Sequence, residues 1–170
     1  MSRARISIVA AIGLNRELGI DNQLLGNFPT DMRHFSELTQ GGIVIMGRKT
    51  FDSLRKKPLP NRDNIVISHN PVFWHDNTLV AKNCVLALEL AQSISDGQKA
   101  IFVIGGASIY QQFLDADLID QIFLTEIQAL FPNANKFFPP LTDKWRLSAQ
   151  TVVDADGVTM HFSTYLKTRR

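Results

Sequence analysis

Gly47, Arg48, Lys49 and Thr50 follow the apolar run Ile43-Val44-Ile45-Met46 with no spacer. A buried strand that ends this way delivers two cations and a hydroxyl to the carboxyl edge of a sheet, where open α/β sheets bind ligands. A helix starting at Arg48 would point its free N–H groups the same way, and anions favour that end. The chemistry is that of a phosphate cradle for a nucleotide-like cofactor, set against a surface ion pair as the alternative for Arg48. A second apolar run, Ala100–Ile104, breaks at Gly105-Gly106-Ala107. Glycine lets the backbone approach a bulky anion or ring because no Cβ intervenes; a Gly-Gly pair equally suits a plain tight turn. A third run ends in Ser68-His69-Asn70, and in a parallel sheet that edge lies near Arg48. A guanidinium beside a hydroxyl and an imidazole suits the 2′-phosphate that separates NADPH from NADH, although Ser68 and His69 read equally well as ordinary edge residues.

The carboxylate of interest is Asp31, at the start of a helical segment and flanked by Phe28, Met32 and Phe35. It reads equally as an acid favoured by the helix macrodipole and as one that faces an apolar pocket and holds a cationic or amidine-like group of a flat ligand. No second acid lies in this loop and helix, so a two-carboxylate mechanism gains no support. The G-x-x-x-x-G-K-[ST], G-x-S-x-G and H-E-x-x-H patterns are absent, and no G-x-G-x-x-G follows the first strand. His75 and His161 lack metal-ligand spacing, and no metal is expected.

The elements that must hold these residues alternate. Ile6–Ile12 is a buried central strand by its β-branched apolar run. Residues 13–29 show no period and contain three glycines, which predicts a long functional loop. Thr30–Thr39 is a helix, with Met32, Phe35 and Leu38 at helical spacing and Pro29 suited to its first turn. Ile43–Met46, Asn64–Ser68, Asn77–Ala81, Ala100–Ile104 and Ile119–Ile127 are strands. Short helices are expected over Lys49–Leu54, Val85–Ile94 and from Gly106 through Leu114. Trp145–Val153 and Val158–Leu166 form a hairpin about Asp154-Ala155-Asp156-Gly157. The fold class is α/β: a mostly parallel twisted sheet with helices on both faces and a C-terminal antiparallel hairpin, in one domain over residues 1–170.

Composition is consistent with this. The 170 residues are 45% hydrophobic and 20% charged, ordinary for a globular chain with a sizeable core. A net charge of +2 argues for neither nucleic acid nor an anionic membrane surface, and the basic tail with Lys167, Arg169 and Arg170 reads as a solvated end. The single cysteine, Cys84, excludes an intrachain disulfide and reads as a small buried hydrophobe. Met1-Ser2-Arg3-Ala4-Arg5 has no apolar stretch fit for a signal peptide, and no run approaches the ~18 apolar residues of a membrane span. A cytoplasmic protein is expected.

These segments together resemble dihydrofolate reductase. The resemblance rests on Val9-Ala10-Ala11, Leu18-Gly19, Asn27-Phe28-Pro29-Thr30-Asp31 with Phe35, Val44 through Ser53, Pro58-Leu59-Pro60-Asn61-Arg62, Ile104 through Tyr110, and Leu124-Thr125. It spans nearly the whole chain, and M-G-R-K-T-F followed by P-L-P-x-R and a later I-G-G is highly specific. It implies NADPH-dependent reduction of 7,8-dihydrofolate to tetrahydrofolate by hydride transfer, with water delivering the proton. By position, Asp31 would hydrogen-bond the pterin 2-amino group and N3, supported by the Thr125 hydroxyl. Ala11, Leu24, Met32, Phe35, Leu54, Leu59 and Ile104 would line the substrate pocket, and Arg62 would pair with the glutamate-tail carboxylate. Ala10, Leu18, Gly19, Gly47, Arg48, Lys49, Thr50, Ser53, Ser68, His69, Gly105, Gly106, Ala107, Ser108, Ile109 and Tyr110 would line the cofactor. The resemblance also implies a monomer with antifolate inhibitors as further ligands; a 2,4-diaminopyrimidine such as trimethoprim would pair with Asp31. Residues 13–29 would be the lid over the nicotinamide.

Three positions depart from the family pattern. Leu25-Gly26 stand where Pro-Trp is usual, which removes an indole wall. Ala134-Asn135-Lys136 stand where Gly-Asp-Thr is common, replacing a charged lid-capping acceptor with a neutral one. His34 occupies a site where relatives carry a tryptophan or another residue. The first two changes predict a more open pocket and a mobile lid. Two other functions compete with the leading one. A reductase of another pterin or aminopyrimidine is disfavoured by Arg62 and by the lack of a deaminase cysteine motif. A weakly catalytic pterin- and NADPH-binding protein would bind both ligands without turnover.

Overall fold

The β-branched apolar runs pair into one eight-stranded sheet in a computed structural model, which describes residues 3–21 and 23–169. Met1, Ser2 and Arg170, named above in the N-terminal segment and the basic tail, lie outside the described residues, as does Asn22 of the lid. In chain order the elements are β1 (Ile6–Ile12), β2 (Glu17–Ile20), β3 (Gln23–Leu24), α1 (Pro29–Thr39), β4 (Ile43–Gly47), α2 (Arg48–Ser53), β5 (Asp63–Ile67) and β6 (Thr78–Ala81). They continue with α3 (Cys84–Ser95), β7 (Ile101–Val103), α4 (Ala107–Asp115), β8 (Gln121–Ile127), β9 (Lys136–Phe137), β10 (Trp145–Ala155) and β11 (Val158–Lys167).

The large sheet runs β10-β11-β8-β1-β7-β4-β5-β6. From β8 to β6 every pairing is parallel, and β11 joins β8 antiparallel. Six strands therefore end at one edge. The period of two in a strand divides the core: Ile43 and Ile45 pack with residues of α3 and α4, whereas Val44 and Met46 pack with Phe35 and Leu38 of α1. The central strands are buried on both faces, which is why they read as continuous apolar runs. Cys84 is buried at the start of α3, and burial pushes its thiol up.

Residues 13–21 and 23–29 hold more secondary structure than the sequence suggests. Instead of a plain loop they contain β2 and β3, which form a small second sheet with β9. The physical reason is non-local: β9 comes from a segment more than a hundred residues away, and strands of two to four residues carry no usable periodicity. At the far edge, Asp156 and Gly157 connect β10 to β11 directly, with φ of +54° and +78° and Ala155 opposite Val158. This is the tight two-residue turn that Asp-Gly favours.

Candidate functional site

The two glycine edges meet because β4 and β7 are neighbours. Gly47 N–H donates to Gly105 O at 2.8 Å, and Ile104 N–H donates to Ile45 O at 2.9 Å. A Cβ at position 47 would stand 3.1 Å from Ile109, and Gly105 has a φ of +123° that side-chain-bearing residues rarely adopt. A Cβ on Gly106 would meet only Thr50 Oγ, at 3.5 Å, so this edge is open to a ligand. Ala107 starts α4 with no side-chain cap. Ser108 Oγ accepts from Gln112 at 2.9 Å, and Tyr110 is buried with its hydroxyl donating to Val9 O at 2.8 Å.

Arg48 opens α2 next to the end of β5, since Gly47 is registered with Ile67. Its guanidinium lies 4.5 Å from the Phe73 ring centroid and makes a loose pair with Asp52 at 3.6 Å. Lys49 is exposed, and Ser53 is exposed with its hydroxyl donating to Thr50 O at 2.7 Å. Ser68 is buried, and its Oγ accepts from Asn70 N–H at 3.2 Å; the hydroxyl proton is left to donate. His69 is exposed beside it. Sequence reasoning missed Lys82, which follows β6 at the same edge, where Ser68 N–H donates to Ala81 O at 3.0 Å. Only the strand order reveals that neighbour.

On the other side of β1 an apolar cleft is lined by Ala11, Leu18, Leu24, Leu25, Gly26, Phe28, Asp31, Met32 and Ile127. Ala10 and Ala11 face Leu124 and Thr125 in the β1–β8 ladder. The Thr125 hydroxyl lies near the Asp31 carboxylate and favours its charged form. Burial lifts the Asp31 carboxyl above the ordinary aspartate range; Thr125 and His34 pull it back, and Asp156 adds to the lift. His34 stacks on Phe162 with centroids 4.1 Å apart, and burial lowers its own pKa against the pull of Asp31 and Glu37. Phe35, Leu54, Leu59 and Ile104, the remaining expected pocket residues, pack on one core cluster with Val9, Met46 and Phe51.

Arg62 is partly enclosed, and burial lowers its pKa. Its Nη1 donates to Thr39 Oγ1 and its Nε to Pro60 O, each at 2.9 Å. Asn64 holds the same loop by bonding Leu59 N–H, Leu59 O and Arg62 O. Thr39 and Asn64 are both fully buried polar residues. The sequence carried no signal for either, because each acts on a loop through one or two hydrogen bonds.

The expected lid is hydrogen-bonded to the segment around Asn135. Asn135 N–H donates to Gly19 O at 3.1 Å, Asn135 Oδ1 accepts from Asp21 N–H at 3.1 Å, and Asn135 Nδ2 donates to the Asp21 carboxylate at 2.8 Å. An aspartate could not make the last of these bonds. Gly19 itself is fixed, since a Cβ there would lie 2.5 Å from Gln23 O. Glu17 is buried, and its carboxylate accepts from Phe131 N–H at 2.7 Å and from Asn15 N–H. At Gly26, which lines the cleft with Phe28, a Cβ would stand 3.1 Å from the Phe28 ring, and that ring meets Phe131 edge-on at 6.3 Å. Glu17→Ala strands two backbone donors and is expected to lower unfolding free energy by about 1–3 kcal/mol; an unchanged denaturant midpoint would contradict the clamp.

Among the described residues no cluster of three or more His, Cys, Asp or Glu could hold a metal ion, and no helix is long and apolar enough to cross a membrane. A family model for dihydrofolate reductase matches residues 5–170. The chain is 32% identical over 148 residues to dihydrofolate reductase of Staphylococcus aureus strain MSSA476, covering 85% of this chain and 84% of that protein. It is 38% identical over 134 residues to dihydrofolate reductase type 3 of Salmonella typhimurium, covering 79% of this chain and 78% of that one.

Proposed function

The chain belongs to the dihydrofolate reductase family and is an NADPH-dependent reductase of dihydrofolate; on that premise we propose which of its residues do the work. Asp31 holds the pterin through its 2-amino group and N3, and Thr125 orients that carboxylate. The observation that carries this reading is the pairing of Asp31 with Thr125 at an apolar cleft, on the sheet edge that also bears Arg48 and Gly105-Gly106. Ala11, Leu24, Met32, Phe35, Leu54, Leu59 and Ile104 give the ring and its aminobenzoyl extension apolar walls. Such walls exclude water, which hydride transfer between flat stacked rings requires.

NADPH supplies the hydride. The fit of this chain to it rests on the bare backbone at Gly47, Gly105 and Gly106 and on donors of the right charge. Arg48 and Ser68 read the 2′-phosphate, with His69 and Lys82 at their side. Lys49, Thr50, Ser53, Ala107, Ser108 and Ile109 face the diphosphate and ribose groups, Tyr110 braces α4 on β1, and Ala10, Leu18 and Gly19 border the nicotinamide end. Among the described residues no side chain is an obvious direct donor to the pterin ring nitrogen. Water delivers that proton, and Asp31 polarises the ring from its far side. The lid of residues 13–29 closes the site. The protein works as a monomeric, one-domain enzyme of the cytoplasm, and 2,4-diaminopyrimidine antifolates compete at Asp31.

Arg62 pairs with the glutamate-tail carboxylate through the guanidinium edge that Thr39 and Pro60 leave free. A lysine has no fork with which to hold both sets of partners. Arg62→Lys should therefore raise the KM for dihydrofolate about tenfold with little change in kcat, and leave a pterin lacking the tail unaffected. Equal losses for both substrates would reject the tail contact.

A further inference from the structure

We propose that Asp156 is a positioning residue of this reductase, whose carboxylate caps the helix that presents Asp31 and sets a second negative charge beside it. The inference rests on the assignment of Asp31 as the pterin-holding acid. Helix α1 has no cap of its own: its N-cap residue is Phe28, with no side-chain hydrogen bond, and Pro29 follows. Proline has no N–H, so Thr30 carries the first free donor of the helix. That donor is met from 126 positions away, where Thr30 N–H donates to Asp156 Oδ2 at 2.8 Å. Thr30 is the residue immediately before Asp31.

The carboxylate is delivered by a rigid device. Asp156-Gly157 is a two-residue turn between registered Ala155 and Val158. Strand β11 is in turn laddered to β8, with Phe162 opposite Thr125. The strand that carries the Asp31 partner and the turn that caps its helix are thus one unit. An aspartate in such a turn could serve turn geometry alone, but Asn-Gly serves it equally well, so the charge is the distinguishing feature.

Asp31 is faced by Thr125 from β8, by His34 from its own helix, by Asp156 from the hairpin, and by Tyr110 from α4, whose hydroxyl is committed to Val9 O. Glu37 acts on His34. Among these, Asp156 is the like charge, and it favours the protonated form of Asp31. A second negative charge there likewise favours protonation of the pterin that the Asp31 carboxylate holds, so its effect extends the working range toward higher pH. Because Asp156 is exposed, salt should screen that effect.

The test is NADPH oxidation with 7,8-dihydrofolate across pH, at low and high salt, for the parent, Asp156→Asn, Asp156→Gly and Asp31→Asn. Asp156→Asn keeps the turn and an acceptor oxygen. Its rate should match the parent on the acid side, fall about threefold below it on the alkaline side, and rejoin it at high salt. Asp156→Gly should show the same displacement with a raised KM for dihydrofolate, because the cap is lost. Superimposable low-salt profiles for the parent and Asp156→Asn, with Asp31→Asn inactive, would overturn the inference alone. Normal turnover by Asp31→Asn would instead overturn the assignment of Asp31.

Discussion

Asp31→Asn cuts turnover by about 100- to 10,000-fold and leaves a protein at least as stable as the parent at neutral pH. Loss of turnover follows from the proposed chemistry: an amide can neither take the charge that the pterin needs opposite it nor polarise the ring. Stability follows from linkage. Burial raises the Asp31 carboxyl above its ordinary value of 3.8, so the folded state binds the proton more tightly than the unfolded chain. Its contribution to stability is fully present below that ordinary value and is lost as pH rises through the folded value. At neutral pH the ionised, buried carboxylate therefore costs stability that asparagine does not, while the asparagine oxygen can still accept from Thr125. Thermal melts at neutral pH should favour the variant, and the advantage should vanish in acid. A variant that turns over normally sinks the role given to Asp31, and one that melts lower at neutral pH sinks the burial argument.

Arg48→Ala removes most of the preference for NADPH over NADH. The guanidinium is already oriented, lying over Phe73 with only a loose, exposed partner in Asp52 at 3.6 Å. Such an i,i+4 pair contributes a few tenths of a kcal/mol, roughly, whereas a charge-assisted bond to a phosphate is worth about 1.5–3 kcal/mol. A phosphate therefore displaces Asp52 readily. The KM for NADPH should rise about 10- to 100-fold, and that for NADH should move little, because NADH has no group at this position. An unchanged ratio would reject Arg48 as the reader of the 2′-phosphate and point to Lys82 and Ser68.

Much of the fold was legible because the strands announce themselves. Ile43–Met46 and Ile101–Val103 are buried on both faces and sit in apolar runs, and the glycine that ends each run marks the edge. The helix carrying Asp31 was legible from Met32, Phe35 and Leu38 and from Pro29 at its start. The small sheet of β2, β3 and β9 was not, since its strands are too short to show alternation and meet only in the folded chain. The same holds for the residues that support the site. Glu17 appears as one more acid in a loop, yet it is buried and clamps Phe131. Asn135 looks like a weakened acceptor, yet its amide also donates to Asp21. Asp156 looks like turn chemistry and caps a helix across the molecule. Each of these acts through one or two hydrogen bonds between distant segments, and such bonds leave no period or motif behind.

The departures at Gly26 and Asn135 therefore read differently in three dimensions. A Cβ at position 26 would press on the Phe28 ring, and the Asn135–Asp21 pair with the Glu17 clamp ties residues 17–21 to the segment that follows β8. The chain is a dihydrofolate reductase in which Asp21 and Glu17 are hydrogen-bonded to residues that follow β8. The measurement that tests this most directly is steady-state oxidation of NADPH by the purified protein with 7,8-dihydrofolate across pH. Turnover that declines as pH rises is the predicted result; binding of both ligands with no turnover at any pH would contradict it.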